Sequence, residues 1–156
     1  MTVFNTFNPL NQDYKKHLPK TGRLVGIDLG TKRIGIAVTD EDRMLATPKF
    51  IINRSSLKND FAKIQDFMDE YSISAIVLGY PIQLDNSDNE MTKIREVFSK
   101  DLDQHFDGSM PIFLFEERLT SFEAKNIDRS GISKRKGKHI DDIAASLILQ
   151  HFIESE

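Results

Sequence analysis

The chain contains no cysteine, which excludes disulfides, thiol nucleophiles and cysteine-ligated zinc. Its four histidines, His17, His105, His139 and His151, show no metal-ligand spacing such as HExxH, so any metal here would be held by oxygen. No run approaches the roughly 18 apolar residues that a membrane helix needs. Residues 1–22, MTVFNTFNPLNQDYKKHLPKTG, lack the charged start and apolar run of a secretion signal. They read as a polar, flexible N-terminal tail punctuated by Pro and Asn, and a cytoplasmic location is expected by default. Bulk positive charge is missing as well: the net charge is −3, which argues mildly against a protein that coats nucleic acid by general attraction.

What is present is enough apolar sequence, 39% of 156 residues, to bury a real core in one domain, read here as residues 23–153. Residues 23–29 (RLVGIDL) and 34–39 (IGIAVT) are β-branched runs separated by Gly30, Thr31, Lys32 and Arg33, the length and chemistry of a hairpin connection. A third run, PKFIIN at 48–53, completes an antiparallel meander. Leu57, Phe61, Ile64, Phe67, Met68 and Tyr71 then recur at helical spacing after Ser55 and Ser56, either of which can cap a helix. SAIVLGYP at 74–81 reads as a strand buried on both faces. A second helical pattern, Met91, Ile94, Phe98 and Leu102, leads to another buried strand, PIFLFE at 111–116. Strand, helix, strand, helix, strand at this spacing means parallel crossovers. Thr120 and Glu123 stand in capping-box spacing before a helix that Gly131 would stop, and a last helix carries Ile140, Ile143, Ala144, Leu147 and Ile148 on one side. The order βββαβαβαα is the layout of the ribonuclease H-like α/β fold: a mixed five-stranded sheet, three strands antiparallel and two parallel, flanked by helices.

One acidic residue sits inside the first apolar run. Asp28 lies between Ile27 and Leu29, and a carboxylate taken out of water costs several kcal/mol unless it is paired or holds a metal. This topology would bring two more acids near it: Glu116 or Glu117 at the end of the last strand, and Asp141 or Asp142 at the start of the last helix. At 100° per residue, Asp141 falls on the edge of the apolar side beside Ile148, whereas Asp142 points nearly opposite and suits a solvent-facing first turn. Strand alternation shows only that Glu116 and Glu117 face different ways. Converging carboxylates repel unless cations sit between them. A pair of divalent ions about 4 Å apart would serve, and Mg2+ suits such a site because it accepts a few carboxylates and takes further ligands from water and phosphate. Taken singly, each acid also has a plainer account as a strand-end residue, a partner of Arg118, or a helix-start acid.

Between Arg129 and Ile140 there are five cations, Arg129, Lys134, Arg135, Lys136 and Lys138, and no acid. The stretch reads equally as a solvated surface loop or as a loop that grips phosphate. Gly30 and Gly35 fit a tight hairpin and close packing near Asp28, Thr120 fits a helix cap better than a nucleophile, and Phe113, Phe115 and Phe122 fit the core better than base-stacking platforms.

Four motifs in order, GIDLGTKRIGIAVTD at 26–40, IVLGYP at 76–81, EERLTS at 116–121 and KHIDDIAASLILQ at 138–150, resemble the bacterial YqgF-like family, associated with pre-16S rRNA processing and also described as Holliday-junction-resolvase-like. The resemblance spans residues 23–153. It implies a metal-dependent nuclease that hydrolyses phosphodiester bonds in 5′-end maturation of precursor 16S rRNA, with Asp28, Glu117 and Asp141 as the catalytic and metal-binding acids and Mg2+ or Mn2+, two ions, as cofactor. Arg33, Arg118, Lys134, Arg135, Lys136 and Lys138 are the candidate substrate-binding cations. The implied partner is nucleic acid, a precursor rRNA or a ribosomal particle, with no membrane and with a homodimer left open. The loop after Pro81 departs from the family in carrying Asn86 and Asn89 where glycine is frequent, and asparagine also tolerates left-handed backbone. Competing readings are a resolvase-like nuclease on branched DNA, which would use the same acids, and a non-catalytic nucleic-acid- or ribosome-associated binding module. An actin-like ATPase can share GIDLGT, but it needs two lobes and about twice this length.

Overall fold

The protein is described here from a computed structural model, which covers residues 3–5, 14–30, 32–80, 89–116 and 140–154. In chain order its elements are β1 (Val3–Asn5), α1 (Tyr14–His17), β2 (Arg23–Leu29), β3 (Arg33–Thr39), β4 (Ala46–Asn53), α2 (Leu57–Tyr71), β5 (Ile73–Tyr80), α3 (Asn89–His105), β6 (Ile112–Glu116) and a helix numbered α4 (Ile140–Glu154). The strands form one sheet in the order β1-β6-β5-β2-β3-β4. The β2–β3–β4 meander is antiparallel, and β5 and β6 add parallel to β2, as the patterning predicts. The predicted helix from Thr120 to Gly131 lies outside the described residues.

The sheet has one strand more than the five expected. Val3–Asn5, within the stretch read as a flexible tail, pairs parallel with β6 in the register Phe4↔Phe113. Three residues are too few to show a period-two pattern, so nothing in the sequence separates this strand from its polar surroundings. It covers the outer edge of β6, which would otherwise present unpaired backbone groups.

Alternation along the strands divides the core into two layers. Val25, Ile27, Ile36, Ile76, Leu78 and Ile112 pack under α2 and α3, against Phe61, Ile64, Phe98 and Leu102. Leu24, Ala37, Ala75, Val77 and Phe113 face the other way, against Ala145, Ile148, Leu149 and Phe152 of α4. Each fully buried Ile, Leu or Phe contributes about 1.5–3 kcal/mol relative to exposure, so these two layers are the main support of the sheet. Phe113 and Phe115 stack around Phe152 with ring centroids 5.7 and 5.6 Å away, a core role as expected; Phe122 lies outside the described residues.

Helix boundaries follow local chemistry. Ser56 caps α2, its hydroxyl accepting from Asn59 N at 3.2 Å. The helix ends at Ser72 in left-handed backbone, φ 54°, with its N–H returned to Met68 O. In α3 the expected apolar stripe is only partly right. Phe98 and Leu102 are buried, but Ile94 is 43% exposed and Arg95, at 7%, takes the inward place. Positions 95, 98 and 102 follow i, i+3, i+7, so the stripe passes through an arginine that an apolar search skips. Among the described residues no helix is long and apolar enough to cross a membrane.

Candidate active site at the carboxyl end of the parallel strands

Asp28 is the penultimate residue of β2 and is half-buried. It shares the even-numbered face of the strand with Leu24, which belongs to the layer under α4. Its cross-strand partner is Gly35, and on the other side Gly79 follows the Ile27↔Leu78 pair by one residue. Directly opposed side chains on a sheet stand about 4.5–5.5 Å apart, so a glycine on each flank leaves lateral room around the carboxylate. Gly30 closes the adjoining turn: its N–H donates to Arg33 O at 2.8 Å, and a Cβ there would come within 2.6 Å of that oxygen. The structural role expected of Gly30 follows from this contact.

The start of α4 lies over the same end of the sheet. A Cβ on Gly26 would stand 2.9 Å from both Ala145 O and Leu149 Cβ, so α4 crosses β2 in direct contact one pleat before Asp28. Farther along α4, Gln150 Oε1 accepts from Ala46 N at 2.8 Å. Ala46 pairs with Thr39, whose hydroxyl accepts from Leu24 N at 2.9 Å, so this contact lies at the opposite, amino-terminal end of β2. The helix therefore runs antiparallel to β2. Position 141 is one turn before Ala145, about 6 Å toward the Asp28 end. Of the apolar side expected on α4, Ile143, Ala144 and Ile148 are buried and Leu147 is half-buried, while the stripe facing the sheet core is centred on Ala145, Ile148, Leu149 and Phe152. On a 100° wheel position 141 belongs to this stripe, while position 142 lies well off its centre.

The remaining candidates divide cleanly. Arg33 opens β3 on the odd-numbered face of Ala37, hence on the α4 side and at the Asp28 end, and it is half-buried. Glu116 closes β6 opposite Tyr80. Phe113 and Phe115, the odd positions of that strand, belong to the α4 layer. Neighbouring strands are about 4.8 Å apart, so β6 stands roughly 10 Å from β2. Glu117, Arg118, Lys134, Arg135, Lys136 and Lys138 lie outside the described residues. Among the described residues no three His, Asp or Glu side chains form a group able to hold a metal. The donors available by residue type are carboxylates, the hard-oxygen chemistry that fits Mg2+ or Mn2+.

Three residues near the site escape sequence reasoning. On the face opposite α4, Arg95 Nη2 donates to Leu29 O at 2.9 Å and Arg54 Nη1 donates to Gly30 O at 3.0 Å. Asp60, 1% exposed, lies 3.9 Å from Arg54 Nε and accepts from Ser55 N at 3.1 Å. The one available signal was a cation within the helical stripe of α3. Arg54 and Asp60 look in sequence like ordinary residues before and within a helix start.

Comparison with known proteins shows the family and the fold. The profile of the RuvX family, described as "Holliday junction resolvase", matches residues 22–155. A protein of Thermoanaerobacter pseudethanolicus is 36% identical over 137 residues, covering 86% of this chain and 97% of the relative. One from Rickettsia bellii is 35% identical over 150 residues, covering 95% and 96%, and one from Cereibacter sphaeroides strain KD131 is 34% identical over 145, covering 92% and 89%. All three bear the name "Putative pre-16S rRNA nuclease". In fold the chain is similar to T. thermophilus RuvC in complex with a Holliday junction, with TM-score 0.54, 14% identity, and 86% and 94% of the two chains covered. The expected ribonuclease H-like core is thus present in this sheet, and the chain belongs to the RuvX family.

Proposed function

We propose that this protein is a metal-dependent nuclease that hydrolyses phosphodiester bonds in precursor 16S rRNA during maturation of its 5′ end, in the cytoplasm. The observation that carries this reading is that Asp28 and the first turn of α4 share one face and one end of the sheet. In open α/β sheets ligands bind at the carboxyl ends of the strands, where Asp28 sits. Asp28, Glu117 and Asp141 hold the metal. For Glu117 the support is the family motif EERLTS at 116–121. For Asp141 it is the buried stripe of α4. Bound divalent ions supply activation of a water and stabilisation of the leaving oxygen. The chain's own part is to hold three carboxylates at fixed spacing and to hold the polyanion beside them. Arg33 is placed for phosphate at the Asp28 end, and Arg118, Lys134, Arg135, Lys136 and Lys138 extend the grip. Such contacts position a nucleic acid without reading its sequence.

The relatives' name favours RNA, and the family description favours branched DNA as the second reading. A cleavage assay on a 5′-extended precursor of 16S rRNA and on four-way DNA junctions, with Mg2+, Mn2+ or a chelator, separates them. Metal-dependent cleavage of the RNA alone is expected. Cleavage of the junction alone would move the assignment to a resolvase, and binding without cleavage of either would leave only a binding module.

A further inference from the structure

The turn that follows Asp28 is fastened from the face of the sheet opposite α4. Leu29 and Gly30, the next two residues, both give their carbonyls to guanidinium groups: Leu29 O to Arg95 Nη2 at 2.9 Å, Gly30 O to Arg54 Nη1 at 3.0 Å. Arg54 also donates its backbone N–H to Lys32 O at 2.9 Å, so it holds both sides of the turn. Its own orientation is set by Asp60, 3.9 Å from Nε, and by the Phe98 ring, whose centroid is 6.0 Å from Cζ. Asp60, in the first turn of α2, in turn accepts from Ser55 N at 3.1 Å. Arg95 reaches its carbonyl from α3, 66 residues away, across an interior where it is 7% exposed.

The arrangement is asymmetric in a way that packing alone does not require. A strand end can splay, and the residues after it usually bond to water. Here two charged donors, one from α3 and one from the segment between β4 and α2, meet consecutive carbonyls directly after the acid. Charge-assisted hydrogen bonds are shorter and stronger than neutral ones, and a buried guanidinium is costly unless its donors are used. We propose that Arg95 and Arg54 are positioning residues for Asp28: by fixing the carbonyls of Leu29 and Gly30 they hold the Asp28 carboxylate at a set distance from the start of α4. The inference rests on the nuclease reading of Asp28. Both arginines approach from the face of the sheet opposite α4. They act through the backbone as outer-shell partners of a metal ligand do, where substitution typically costs 10–100-fold in metal affinity or activity.

The test uses Arg95→Met, which keeps the side-chain stem and removes the donors, Arg95→Lys, which keeps a charged donor, and Arg54→Met. Each is compared with wild type by thermal melting, by calorimetric titration with Mn2+, and by kcat and KM on precursor RNA. We expect R95M and R54M to bind Mn2+ at least tenfold more weakly and to lose kcat with KM unchanged, and R95K to recover most of both. A purely structural role would lower the melting temperature and leave Mn2+ affinity and kcat of the folded protein at wild-type values, which would overturn the inference. Should R95M not fold, R54M and R95K decide the matter by the same two readouts. Asp28→Asn in the same titration separates the two claims. If D28N binds Mn2+ like wild type, the nuclease reading fails and takes this inference with it. If D28N loses Mn2+ while R95M and R54M keep it, only the positioning inference fails.

Discussion

Gly26 is the point where β2 and α4 touch, and adding one methyl group there probes both stability and the site. A Cβ at this position would lie 2.9 Å from Ala145 O and from Leu149 Cβ, whereas ordinary contact is 3.4–4 Å. Neither atom can rotate aside, since one is backbone and the other is attached to it. The helix must therefore retreat as a body by roughly half an ångström, loosening its contacts with Leu24, Ala37, Val77 and Phe113 together. Overpacking of this kind costs about 1–3 kcal/mol. Replacing glycine in a strand recovers about 0.5–1 kcal/mol through the unfolded chain. Taking the middle of each range, the net for Gly26→Ala is a loss of about 1 kcal/mol, or ~3–4 °C in melting temperature for a chain of this size. Because the first turn of α4 moves with the rest, kcat on precursor RNA should fall about tenfold, given that a 1 Å misplacement can cost roughly a hundredfold. Melting followed by circular dichroism and single-turnover cleavage measure the two effects. A G26A protein as stable as wild type, or more so, with full activity would show that α4 does not press on β2 here.

Neutralising Lys134, Arg135, Lys136 and Lys138 together should weaken RNA binding and reduce the slope of log affinity against log salt by up to about 3, with little change in melting temperature. An unchanged slope would mean that RNA docks elsewhere. Asp40 accepts from Met44 N at 2.8 Å and Leu45 N at 2.9 Å, and the Leu45 bond first, then that from Met44, holds its carboxyl below the ordinary value of 3.8. A lowered folded-state pKa means that its stabilising effect is complete above 3.8 and fades as pH falls through the folded value. The urea midpoint of wild type should therefore exceed that of Asp40→Asn at neutral pH, and the gap should close in acid. A gap independent of pH would assign the effect to something other than this charge. Gly30→Ala should destabilise the hairpin by driving a Cβ against Arg33 O, and wild-type melting of that variant would contradict the 2.6 Å contact.

Where a segment carries its own period, sequence and structure coincide. RLVGIDL is β2 to the residue, and Leu57 to Tyr71 is α2, because β-branched runs and i, i+3, i+4 spacing state their burial locally. The same logic placed Asp28 on a strand and chose position 141 over 142. It was off by a fraction of a turn on α4, whose sequence is apolar nearly all round, so the wheel has a blunt maximum and only packing against Gly26 and Phe113 shows which side is inward. Strand β1 was illegible for want of length. Arg54, Asp60 and Arg95 were illegible for a different reason: their partners are backbone carbonyls and amides, which every residue has, and the arginines reach theirs 24 and 66 positions away. Residue type alone cannot announce such a bond.

The central claim is that Asp28 works as a metal-holding carboxylate, and Asp28→Asn removes its charge while keeping its shape. The measurement is cleavage of a 5′-extended 16S rRNA precursor by wild type and by D28N across a titration of Mg2+ and Mn2+, with melting temperatures taken on the metal-free proteins. D28N should cleave at no metal concentration and should melt at or above the temperature of wild type, since the substitution relieves repulsion among the acids. Equal cleavage by the two proteins throughout the titration would contradict the central claim.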